Sequence, residues 1–273
     1  MFTQKHLLFF SLAAALLGGC SDGNGAGMTG KQARLAVENC STRPASGNMQ
    51  KLEDDFALVL LTETGTAYAG VRNPVRAVYQ SGNWDLPEIW LTEIPGRLHA
   101  FHPYGEYLQK DTLTLDLSTQ TDYLASETGG MGIDYRQPRI ENIELHHLLA
   151  RVEVSLEGST ECSLSIADYP SMAQYSLVSG SLKTGGTESL LSSPSSALLV
   201  FPGDIKDYKA LIAYGGRQYG YFFPENMLEA GKSYHYKLTI SKEGLLELSG
   251  VTVSPWLPGG DYEVPVRPEP NNE

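Results

Sequence analysis

Histidines, acidic residues, serines and aromatic side chains are the groups in this chain that could do chemistry, and their spacing argues against most of it. His146 and His147 are neighbours, so on a strand they point to opposite faces and cannot chelate one ion together. His99 and His102 are three apart and fall on opposite faces for the same reason. No H-E-x-x-H and no paired C-x-x-C occurs, so nothing calls for zinc. Glu53, Asp54 and Asp55 form an acidic run, but it lacks the glycine and the alternating oxygens of a calcium loop. No serine lies in G-x-S-x-G, and no pair of carboxylates stands out for acid–base work. Gly25, Gly27 and Gly30 spell G-x-G-x-x-G without the preceding strand or following helix that a dinucleotide needs. The expectation is no catalytic residue, no metal, no cofactor and no enzyme activity. The aromatic residues offer contact surface instead. Trp84, beside the turn Gly82-Asn83, is expected to be exposed, and Trp256 to sit in the core or at a strand end. Tyr214, Tyr219 and Tyr221 flank Gly215-Gly216 in a predicted hairpin, where tyrosine could meet a partner.

The chain has 273 residues and a formal net charge of −12, with no basic cluster. Phosphate backbones would be repelled, which excludes nucleic acid as a partner. Residues 1–19 read as a signal peptide: Lys5 and His6, an apolar run over 7–17, then Gly18 and Gly19 before Cys20. The run is shorter than the ~20 residues that span a bilayer. The ending Leu-Leu-Gly-Gly-Cys resembles the bacterial lipobox, which implies that Cys20 carries the acyl chains that hold the protein to outer-membrane lipid. Residues 20–30 form a tether rich in glycine and polar side chains. Cys40 and Cys162 remain, either as a disulfide or as two small buried hydrophobes.

Beyond the tether the sequence predicts an all-β protein. Short runs of apolar and β-branched residues recur about every ten residues with turns between them. Strands are expected over 34–39, 56–62, 75–80, 89–93, 96–102 and 112–117, the last alternating with Leu113, Leu115 and Leu117 on one face. Residues 126–139, with Gly129, Gly130, Gly132 and Pro138, read as the crossing between two domains. Further strands are expected over 141–156, 162–166, 197–201, 209–214, 218–223, 233–241, 245–248 and 251–256. In 233–241, Tyr234, Tyr236, Leu238 and Ile240 share a face. A turn or two of helix is expected near 170–175. The domain plan is a β-sandwich over 31–138, a second over 139–266, and a loose tail over 267–273.

Four segments stand out together: the lipobox at Cys20; Phe101-His102-Pro103-Tyr104 followed by the strand and Asp122-Tyr123; the run Leu-His-His-Leu-Leu-Ala-Arg-Val-Glu-Val over 145–154; and Ala230-Gly231-Lys232-Ser233-Tyr234 followed by a strand and Val251 to Trp256. In this order they resemble the fimbrillin family, the Mfa-like group of Bacteroidales type V pilus subunit lipoproteins. The resemblance implies two tandem transthyretin-like β-sandwiches. It also implies a surface-exposed outer-membrane lipoprotein, in or beside a fimbrium, that assembles with other fimbrial subunits by β-strand complementation and meets host or bacterial surface ligands. In that scheme an arginine-specific protease removes the first strand, and a neighbour's strand fills the groove.

This chain departs from the pattern at the candidate processing residues. Arg43 follows the first strand but precedes Pro44, and trypsin-like proteases cut Arg–Pro bonds poorly. Arg34 precedes the strand, so cutting there would leave the groove filled. The expectation is an anchor-like surface subunit that keeps residues 31–43; the alternative is a stand-alone surface module binding host protein or glycan.

Overall fold

The computed structural model describes residues 31–42, 50–224 and 227–256. The expectations for the signal peptide, Cys20 and the tether, for Arg43, and for everything after Trp256 lie outside the described residues.

The chain enters as β1 (Ala33–Arg34), β2 (Ala36–Val37) and β3 (Cys40–Thr42), where the sequence predicts one strand. β4 (Gln50–Lys51) folds back on β3. β5 (Phe56–Thr62) is apolar at almost every position because both of its faces are buried. Phe56, Leu58 and Leu60 enter one apolar cluster, and Ala57, Val59 and Leu61 enter the other. β6 (Val75–Gln80) and β7 (Asn83–Asp85) form a hairpin over Ser81 and Gly82, whose φ angles of 51° and 87° are the positive pair that a tight two-residue turn needs. β8 (Trp90–Leu91) and β9 (Gly96–His102) follow.

β10 (Leu108–Gln109) pairs with β11 (Thr112–Asp116). The alternation there buries Leu113 and Leu115, while Leu117 is buried at the start of a short 3-10 turn. β13 (Met131–Ile133) lies within the stretch 126–139 expected to be the crossing between domains, and β12 (Leu124–Ser126) and β14 (Arg139–Ile140) touch its two ends. They are drawn into sheets because β13 pairs with β9 and β14 with β2. The long strand pattern over 141–156 breaks at Leu148 into β15 (Ile143–His147) and β16 (Ala150–Leu156).

β17 (Ser163–Ser176) and β18 (Leu182–Ser193) form the longest hairpin. The helical turn expected near 170–175 is strand. Residues 172–176 pair with β11, and the same stretch is bonded to β18 on its other side, so two long-range ladders override a weak local preference. β18 itself carries no sequence signal: it is rich in serine, threonine and glycine, and among its described side chains only Leu191 is buried in the core. β19 (Ala197–Val200), β20 (Gly203–Asp204), β21 (Lys209–Tyr214), β22 (Arg217–Phe222), β23 (Met227–Leu228), β24 (Lys232–Ile240) and β25 (Leu246–Pro255) complete the chain. No α-helix occurs among the described residues.

Three sheets carry the architecture. A nine-stranded sheet runs β4-β3-β15-β12-β9-β5-β6-β7, with β13 also on β9. A six-stranded sheet runs β10-β11-β17-β21-β22, with β18 on β17, and a four-stranded sheet runs β19-β16-β24-β25. One cluster, including Phe56, Leu58, Ile89, Leu91, Ile143 and Leu145, lies on one face of the nine-stranded sheet. The other joins Ala57, Val59 and Phe101 to Leu113, Leu115, Val152, Ile212 and Tyr236 of the remaining sheets. The sheets interleave the chain across position 138: β10 and β11 belong to the six-stranded sheet of later strands, and β15 belongs to the nine-stranded sheet of earlier ones. Burial explains the exchange, since Ile143 and Leu145 face the first cluster whereas Leu113 and Leu115 face the second.

Candidate assembly site

The first segment is held by backbone bonds to three separate rims. The Leu35 N–H donates to Ile89 O at 2.9 Å, the Ala36 N–H to Pro138 O at 2.9 Å, and the Glu38 N–H to Ile140 O at 2.9 Å. The Ile143 N–H donates to Asn39 O at 2.9 Å, and the Asn39 side-chain amide donates to Glu141 O at 3.1 Å. β3 then lies parallel to β15, with Cys40 opposite Ile143 and Thr42 opposite Leu145. The segment cannot form one straight strand because its partners change from β8 to β14 to β15 within ten residues.

Side chains plug what the backbone spans. Leu35, Val37 and Cys40 are buried in the same cluster as Ile89, Leu91, Ile143 and Leu145. At ~1.5–3 kcal/mol for a large buried apolar side chain, the three together contribute roughly 5 kcal/mol. The ion pairs at the rim, Arg34–Glu88 at 3.8 Å and Arg139–Glu38 at 3.1 Å, are exposed and add little by comparison. Arg34 therefore sits on β1, inside the paired segment, with its side chain in solvent.

Cys40 and Cys162 are both free and buried. Cys40 belongs to one cluster and Cys162 to the other, so the pairing left open by the sequence is not formed and each thiol fills space as a small hydrophobe. Burial pushes the Cys40 thiol up to about 12, with the Ser41 backbone pulling slightly the other way. Burial raises Cys162 as well.

The remaining chemistry-bearing residues are structural. His147 Nδ1 shares a 2.9 Å hydrogen bond with Asp122 Oδ1, and His146 Nε2 lies 4.0 Å from Glu127 Oε1. His102 Nδ1 meets the Asp55 carbonyl at 3.0 Å, and His99 is buried. Asp55 is taken by Arg76, whose Nε donates at 2.8 Å. No cluster of three or more potential metal ligands occurs among the described residues. Trp84 is buried, not exposed, because its ring packs edge-on against Phe56 at 4.6 Å and near Tyr79 at 5.1 Å; Trp90 is the exposed tryptophan. Tyr214, Tyr219 and Tyr221 flank the predicted hairpin, but half-buried against the core and not free at its tip.

Stacked sheets over two apolar clusters, with a first segment bonded along sheet rims, define a β-sandwich protein. The sequence profile of the fimbrillin-like family matches residues 42–256, and the chain belongs to that family. It is accordingly a fimbrial subunit of the cell surface, in a family whose role is structural and adhesive. Solved structures share the fold. A candidate cell adhesion protein from Bacteroides uniformis ATCC 8492 aligns with a TM-score of 0.62 at 17% identity, over 83% of this chain and 100% of that one. A similarly named protein from Bacteroides ovatus ATCC 8483 gives 0.60 at 13%, over 82% and 99%. A fimbrial protein from Bacteroides vulgatus ATCC 8482 gives 0.53 at 11%, over 82% and 99%. No curated protein sequence matches the chain.

Proposed function

We propose that this protein is an anchor-like fimbrial lipoprotein, held to the outer membrane through acylated Cys20 and joined to other subunits through sheet edges. The observation that carries this reading is the seating of residues 33–42, whose Leu35, Val37 and Cys40 side chains fill the apolar slot between β8, β14 and β15. The Arg43–Pro44 bond resists trypsin-like cleavage, and cutting at Arg34 would leave β2 and β3 in place. A subunit that keeps its first strand stays attached to its lipid and offers other edges to its neighbours. In this reading the two sandwich modules, 31–138 and 139–266 by sequence, trade β10–β11 against β15 across their boundary.

Mass analysis of the N-terminus of protein taken from cells tests the proposal. The expected result is an acylated start at Cys20. A mature start at or beyond Pro44 rejects the retained strand, and an unacylated start near residue 20 rejects the anchor.

A further inference from the structure

One cavity lies where all three sheets contribute to its lining. Its volume is about 580 Å³, within the ~300–1,000 Å³ of small-molecule pockets. β12, β15 and the residues just after them form one wall, through Ala125, Glu127, His146 and Leu148. The β17–β18 hairpin of the six-stranded sheet supplies Tyr175 and Leu182. Pro202 and Ala230, beside β19 and β24 of the four-stranded sheet, complete the rim.

Strand register builds the first wall. Ala125 stands opposite His146 in the β12–β15 ladder, and directly paired residues project from one face. Glu127, two residues beyond Ala125, falls on the same side, with its Oε1 4.0 Å from His146 Nε2. The far wall turns on Gly180, whose φ is 70°. A Cβ there would lie 2.4 Å from Thr128 Cγ2 and 3.9 Å from the Tyr175 hydroxyl, so a bare backbone keeps the space beside that hydroxyl clear. The Gly129 N–H donates to Val178 O at 3.2 Å and ties the two walls together.

The polar groups in the cavity select the ligand. Glu127 is a carboxylate whose side chain is 79% exposed. Thr128 and Tyr175 carry hydroxyls, and burial raises the Tyr175 pKa, which keeps it an O–H donor. The described lining residues include no lysine or arginine, so an anion would meet only the Glu127 charge and a chain of net charge −12. An ammonium group can only donate, which leaves both protein hydroxyls without an acceptor, whereas a ligand hydroxyl donates and accepts. Leu148, Leu182 and Pro202 offer an apolar surface beside these groups.

We propose that this cavity binds one neutral pyranose ring. Glu127 accepts from neighbouring ring hydroxyls, Thr128 and Tyr175 donate to ring oxygens, and the C–H face of the sugar lies against Leu148, Leu182 and Pro202. None of residues 31–42 lines the cavity, so the site stands or falls separately from the lipid anchor and the retained first strand.

Saturation-transfer NMR on the full-length protein tests this with the methyl glycosides of glucose, galactose, mannose, fucose and N-acetylglucosamine. Glucuronate and butylamine serve as the charged comparisons. At least one neutral glycoside is expected to bind saturably, with millimolar affinity. Glu127→Ala and Ala230→Trp, both at exposed positions, are expected to weaken it at least tenfold at an unchanged urea midpoint. Tyr175→Phe, which keeps the ring and removes the hydroxyl, replaces Ala230→Trp in this comparison if the tryptophan lowers the midpoint. The proposal is overturned if no neutral glycoside binds, if a charged compound binds more tightly than every glycoside, or if either variant keeps the parent's affinity.

Discussion

The His147 ring lies flat on the Trp256 ring, with centroids 4.2 Å apart and planes 18° from parallel. The contact ties the end of β15, in the nine-stranded sheet, to the residue that follows β25, in the four-stranded one. Asp122 fixes the imidazole from its other edge, and the Trp256 backbone N–H donates to Gly231 O at 2.8 Å. Two sheets are thus pinned by one aromatic stack.

Trp256→Ala should therefore cost about 2 kcal/mol, less than a full core tryptophan because the ring is half-buried. Asp122→Ala should cost about 1–3 kcal/mol by leaving a buried imidazole nitrogen without its partner. Because both residues act on His147, the double variant should lose less than the sum of the two. Urea unfolding of the three variants measures this; strict additivity would show that the two contacts are independent.

Gly96 opens β9 where no side chain fits. A Cβ there would lie 2.8 Å from Tyr68 Cε2 and 2.9 Å from the Leu61 carbonyl. Tyr68 cannot swing away freely, since its hydroxyl donates to Ile94 O at 2.7 Å and accepts from the Thr92 N–H at 3.0 Å. Gly96→Ala should destabilise the protein by about 2 kcal/mol, as overpacking does. An unchanged urea midpoint would mean that the β5–β9 pair can spread to admit a methyl group.

His99 gives the fold a pH dependence. Burial holds its imidazole below the ordinary value of 6.5, against the opposing pull of Asp111, with Arg97 lowering it further and the Leu177 backbone raising it. A base whose folded pKa lies below its unfolded value binds fewer protons folded than unfolded. Its contribution is complete above pH 6.5 and is lost as the pH falls toward the folded value. Urea midpoints between pH 7.5 and 5 should decline in the parent and decline less in His99→Gln. Parallel curves would assign the acid sensitivity to other groups.

Cys40 reports on the first strand. With its thiol at about 12 and fully buried, it should resist N-ethylmaleimide at pH 8 in the native protein, while urea should make both Cys40 and Cys162 reactive. Val37→Asp places a charge in the slot that β2 fills and should speed labelling at Cys40 at least tenfold without speeding it at Cys162. Equal labelling of both thiols would point to global unfolding instead of departure of one strand.

The alternation in residues 112–117 and 233–241 made Leu113, Leu115, Tyr234, Tyr236 and Leu238 legible as core residues, because period two is a local property of an extended chain. The hairpin at Gly215-Gly216 was legible for a similar reason: both glycines take positive φ, 56° and 74°. Trp84 was misread because its neighbour Gly82 does mark a turn, yet a ring next to a turn can still fold inward onto Phe56. β18 was invisible because an exposed strand of serine and glycine is specified by its partner β17 and not by its own side chains.

The residues alone determined an all-β chain and family-like segments in their order. Tertiary structure decided which rims seat the first segment and that Cys40 and Cys162 lie in different clusters. Such choices join residues as far apart as Asn39 and Glu141, 102 positions along the chain. They follow from which apolar faces close over one another, and a strand's own rhythm carries no record of the strand that will lie beside it.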